Sequence, residues 1–142
     1  MDIWKQVAID DLKRFTYLEN SVRQMRAEIA DINAALIGGG YNMGSTPVQG
    51  GGSKLEDKYN NYIVKKDRLM LQAQQNEKDY IRIGKALEQL SETDRKVLNY
   101  AYINRTPNYI RLIMDTFCIE SAQAYRYINN ALNQYVRVRY GV

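Results

Sequence analysis

Two heptad runs separated by a glycine-rich break constrain this chain more than any other feature. Phe15, Leu18, Val22, Met25, Ile29, Ile32 and Leu36 are spaced 3, 4, 3, 4, 3, 4. That spacing keeps an apolar stripe on one side of an α-helix over about 33 Å, at 1.5 Å per residue. Trp4 and Ala8 continue the stripe backwards, and Asp11 interrupts it. A second run alternates four and three through Leu55, Tyr59, Tyr62, Lys66, Leu69, Ala73, Asn76, Tyr80, Ile83, Leu87 and Leu90. Its polar members, Lys66 and Asn76, either fix register and oligomeric state at a cost in stability or mark a merely solvated stretch. Each helix has one apolar stripe to bury. An antiparallel hairpin within the chain is therefore expected, with a homo-oligomer built on it; an intermolecular coiled coil is the rival and can coexist.

Residues 37–53 hold seven of the nine glycines and one of the two prolines. A phosphate-binding loop is excluded there, because Lys54 follows Gly51-Gly52-Ser53 in the wrong order and no strand precedes it. The segment 37–54 reads as a flexible connector. Its length leaves a binding role for Thr46-Pro47-Val48-Gln49 open. Strand signals are weak throughout, and an all-α fold is expected in two parts: a helical hairpin at 1–90 and a helical domain at 91–142.

Composition removes many function classes. Histidine is absent, which excludes Ser-His-Asp and Cys-His catalysis and every histidine-ligated metal site. The one cysteine, Cys118, lies between Phe117 and Ile119 without a neighbouring base and reads as an inert buried thiol. The carboxylate pairs Asp10-Asp11 and Glu56-Asp57 read as solvated or as helix N-terminal charges. No enzyme activity, cofactor or metal is expected. The opening residues lack the apolar run of a signal peptide and no apolar stretch of about 18 residues occurs, so a cytoplasmic protein without a membrane span is expected.

The last third carries capping signals. Ser91 precedes Glu92, Thr93 and Asp94, a helix start with acids in its first turn. Thr106-Pro107 reads as an N-cap followed by proline at the first helical position, and Ser121 as the cap of a final helix. Helices are expected near 2–36, 55–90, 92–103, 107–115 and 121–136. The pair 107–115 and 121–136 forms a helix-turn-helix candidate, in which the second helix would enter the major groove of DNA. Ser121, Gln123, Arg126 and Asn130 are the candidate base-reading residues, since Gln and Asn can pair with adenine and Arg with guanine. Arg105, Asn108, Arg111, Arg137 and Arg139 are the candidate phosphate contacts. Charge agrees. Residues 92–142 carry seven Lys/Arg against four Asp/Glu, a net of +3 out of +4 for the chain. That excess is small, so tight binding calls for oligomerisation or a protein partner.

Residues 90–98 (Leu-Ser-Glu-Thr-Asp-Arg-Lys-Val-Leu), then Tyr102, Ile113 to Ile119, Tyr125-Arg126 and Ala131-Leu132, resemble region 4 of the bacterial sigma-70 factors. The linker Thr46-Pro47-Val48-Gln49-Gly50-Gly51 between two heptad helices, set before that domain, is similar to phage regulators of the ArpU/RinA type. The resemblance implies a transcriptional activator of late genes in phages or prophages of Gram-positive bacteria. It also implies double-stranded DNA as partner, a place in the host cytoplasm, and contact with host RNA polymerase as an open question. The alternatives are a phage small terminase subunit, whose DNA-binding unit usually comes first, and a structural coiled-coil adaptor. The resemblance departs at Cys118, where the turn usually holds glycine, and at Met114, where a small residue is usual. A left-handed Cys118 would cost about 1 kcal/mol.

Overall fold

The computed structural model describes residues 2–38 and 52–142. Most of the 37–54 connector, including Thr46 to Gln49, lies outside the described residues. Of the described residues 89% are helical and none is in a strand. The order is α1 (Ile3–Gly38), α2 (Gly52–Glu88), α3 (Glu92–Leu98), a π-helical turn (Asn99–Ile103), α4 (Tyr109–Phe117) and α5 (Ser121–Tyr140). Among the described residues, no helix is long and apolar enough to cross a membrane.

The chain forms two compact units, 1–19 with 78–142 and 20–77. In the first of these, Ala8, Leu12, Leu18, Ile83 and Leu87 of the long helices join one core with Val97, Leu98, Ile113, Ala124, Ile128 and Tyr135.

Within the unit 20–77, the heptad seam closes as its spacing predicts. Ile32 and Ala73 are buried, while Val22, Met25, Ile29, Tyr62 and Leu69 are half-buried. Asn76 Nδ2 donates to Ser21 Oγ at 3.2 Å, and Lys65 pairs with Glu28 at 2.9 Å. Ser21 meets residue 76 whereas Glu28 meets residue 65, so the pair is antiparallel here. Asn76 thus bridges the two helices at the seam. The exposed ion pairs Lys65–Glu28 and Arg26–Glu77 add little stability.

In the other unit, Asp2 caps α1, accepting from the Trp4 amide at 3.0 Å. Phe15 stacks on Tyr80 with centroids 5.0 Å apart, and an added Cβ at Gly84 would lie 3.9 Å from the Phe15 ring. Ser91 caps α3 through the Asp94 amide at 3.2 Å, as expected. The π turn after α3 closes by two hydrogen bonds that Asn104 donates to Asn99: amide to carbonyl at 2.8 Å and Nδ2 to Oδ1 at 2.7 Å.

Several helix bounds differ from expectation: α1 runs to 38 and not 36, α2 spans 52–88 and not 55–90, and α4 ends at 117 and not 115. Helix α4 starts at Tyr109, not 107, because Thr106 Oγ1 donates to Asn108 Oδ1 at 2.8 Å and Pro107 lies in the turn before the helix. Glu120, not Ser121, holds the N-cap position of α5, and its side chain makes no capping bond. Helix α5 continues past 136 to Tyr140, where Gly141 at φ 74° caps it by donating to the Arg137 carbonyl. Its extra turn carries Arg139 and Tyr140 onto α1.

Cys118 is left-handed, with φ 54° and ψ 50°, and it is exposed rather than buried. Its amide and that of Ile119 both donate to the Met114 carbonyl, which closes α4. The β-carbon is strained in this conformation, so Cys118→Gly should stabilise the fold by about 0.5–1 kcal/mol. Cys118→Ala, which keeps the β-carbon, should not. Urea denaturation midpoints of the two variants check this.

Candidate nucleic-acid interface

Helix α5 has two unlike sides. Ala124, Ile128, Ala131, Leu132, Tyr135 and Val136 are buried. On the opposite side Gln123, Arg126, Asn130, Asn133 and Arg137 are all exposed. Their spacing of 3, 4, 3, 4 makes one stripe, about 21 Å long at 1.5 Å per residue. No Asp or Glu occurs from Ser121 to the last residue, Val142. Nothing along the helix itself therefore offsets its arginines. Arg126 Nη1 reaches Gln123 Oε1 at 3.4 Å, a long bond that leaves both groups available.

Of the four candidate base readers, the structure brings Gln123, Arg126 and Asn130 together. Ser121 is exposed but stands two residues before Gln123, on another side of the helix. Sequence reasoning missed Asn133. Continuing the 3–4 spacing past Asn130 would have found it, and would have joined Arg137 to the stripe.

The phosphate candidates divide. Arg111 is exposed and pairs with Asp115 at 3.5 Å, a solvated pair that competes weakly. The Arg105 guanidinium sits 4.2 Å from the Tyr109 ring centroid, which holds it in place by cation–π attraction. Nearby Tyr102 is half-buried, and burial pushes its phenol up, with Tyr109 adding and Arg105 opposing. Asn108 precedes α4 and its side chain is occupied by Thr106. Arg137 is exposed in the last turn of α5. Arg139 is turned inward: its side chain is 16% exposed and its Nε lies 3.7 Å from Asp11 Oδ2. It does not share the exposed stripe, because it stands two positions after Arg137 and i,i+2 residues do not share a helix face.

Asp11 is the second feature that the pattern did not disclose. It was expected on a solvated face and is 3% exposed. Its carboxylate accepts from Tyr135 Oη at 3.1 Å, from Tyr140 Oη, and from Arg14 Nη2 at 3.1 Å. Arg14 also reaches Asp79 at 3.2 Å. Burial works against the Arg14 charge, but the two carboxylates outweigh it and raise its pKa. Burial, with Asp11 alongside, pushes both phenols far above their ordinary 10. The cluster ties α1, α2 and the last turns of α5 together. Lys5 Nζ adds a second tie, donating to Asn129 Oδ1 at 2.7 Å beside the stripe.

No protein family, curated protein or solved structure matches this chain.

Proposed function

We propose that this chain is a sequence-specific DNA-binding transcriptional regulator, an activator of phage or prophage late genes. In this reading α4, residues 118–120 and α5 act as a helix-turn-helix, with α5 in the major groove. The long helical hairpin joins copies into a homo-oligomer in the bacterial cytoplasm, and host RNA polymerase is the protein partner an activator would need. The observation that carries the reading is the acid-free α5, with its exposed Gln123–Arg126–Asn130 stripe backed by a buried apolar face. Amide and guanidinium groups at this spacing can meet base edges on successive base pairs. Arg105, Arg111 and Arg137 then serve as backbone contacts, with Asn108 beside them. The terminase alternative has less support, since the DNA-binding unit follows the hairpin here. The adaptor alternative gives no reason for a 20-residue helix without a single acid.

The two groups of residues should fail differently. Arg126→Ala is expected to cost about 1–3 kcal/mol on a duplex selected from a random pool by the wild-type protein, and to relax the base preference. Arg111→Ala is expected to weaken selected and scrambled duplexes alike and to lower the salt slope by about one unit. Binding titrations at several salt concentrations check both. Equal loss of both duplexes on Arg126→Ala would remove the recognition-helix assignment.

A further inference from the structure

Arg82, Lys85 and Gln89 are spaced three and four apart at the end of α2, so they share one side of it. With Ala86, and with Val138 and Arg139 of α5, they line a cleft of about 290 Å³. No carboxylate lines this cleft. Arg82, Lys85 and Gln89 are exposed, and among the described residues neither Arg82 nor Lys85 has an ion-pair partner. Arg139 is fixed from behind by Asp11 and by the Tyr140 ring, 4.7 Å from its guanidinium carbon. Its buried Nε–H has no hydrogen-bond acceptor among the described residues.

Two exposed cations without ion-pair partners among the described residues, a side-chain amide and a fixed guanidinium together suit an anion. A tetrahedral oxyanion fits best, because its several oxygens can accept from a guanidinium fork and an ammonium together. Arg139 lies 16 residues beyond Gln123 on α5, about 24 Å at 1.5 Å per residue. Along one DNA strand that is about seven nucleotides at 3.4 Å each. We propose that this cleft holds a backbone phosphate of duplex DNA flanking the segment read by α5. The inference rests on the DNA reading above and adds a site to it.

Arg82→Gln combined with Lys85→Gln tests it, since both side chains are exposed and the fold should keep its melting profile. The probes are selected duplexes of about 16 and 40 base pairs and a scrambled 40-mer, with inorganic phosphate as a separate titrant. On the longer duplexes the double variant should lose about one unit of salt slope, and about tenfold in affinity near 0.1 M salt. The ratio of selected to scrambled affinity should stay unchanged. An unchanged slope overturns the proposal. Saturation of the wild-type cleft by inorganic phosphate with that same unchanged slope also overturns it, and would identify a free-anion site instead. Arg126→Ala on the same probes keeps the two failures apart, because it reads the affinity ratio and the cleft variant reads the slope.

Discussion

Leu18→Asp should unfold the unit built from 1–19 and 78–142 at neutral pH. Leu18 is 2% exposed in its core. Losing the leucine costs about 2–5 kcal/mol through burial and cavity. The new carboxyl must then ionise without a partner or stay protonated. Holding it protonated at pH 7 needs a rise of about three units above 3.9, roughly 4 kcal/mol at 1.36 kcal/mol per unit. The sum is about 6–9 kcal/mol, comparable with the whole stability of a domain this size. The sign of the pH dependence follows. The ionisation part vanishes below the unfolded pKa near 3.9 and grows as pH rises, so the variant should recover part of its stability near pH 4. Ile29→Asp should cost much less, because Ile29 is half-buried and its carboxylate can reach water. Helical signal at 222 nm against temperature, at pH 4 and pH 7, checks the order of the two variants. Equal melting of Leu18→Asp and wild type would remove Leu18 from the seam.

The parts of the fold that were legible are those set by near neighbours. The 3–4 spacing from Phe15 to Leu36 predicted a buried stripe, and Leu18 and Ile32 are buried on it. Ser91 capped α3 because its partner amide is only three residues away. Gln123, Arg126 and Asn130 share a face because helical geometry alone puts them there. What was not legible depends on contacts far along the chain. Asp11 looked like a break in the seam because its tyrosine partners lie 124 and 129 residues away. The extra turn of α5 was missed for the same reason: Tyr140 gains its place from Asp11 and Trp4, the latter 5.3 Å away ring to ring. Thr106 failed as a cap because its hydroxyl found the Asn108 side chain instead, a choice between two local bonds that pattern cannot rank. The cleft at Arg82 and Lys85 needed α2 and α5 in place before it existed.

Asp11→Ala should be the most damaging change to a polar residue in this protein. Removing one partner of a buried ion pair leaves the others unpaired, at about 3–5 kcal/mol. Here the loss strands the Tyr135 hydroxyl and removes the counter-charge behind Arg139, while Arg14 keeps Asp79. The expected fall in Tm is on the order of 10 °C for a chain of this length. Asp11→Asn, which keeps an acceptor oxygen and loses the charge, should fall between Ala and wild type. Tyr140→Phe should cost less again, since three other donors or cations remain on the carboxylate. The tyrosines also set an alkaline limit. Their folded pKa values lie above the unfolded value near 10, so the network's contribution is complete below pH 10. It is lost as pH rises beyond that, when the unfolded chain ionises first and is favoured. Melting curves between pH 7 and 11 should therefore be flat up to about 10 and then fall. In Asp11→Ala the fall should be shallower, because the phenols lose the carboxylate that helped to hold them protonated. A variant that melts like wild type at pH 7 would show that the cluster does not hold α1 to α5.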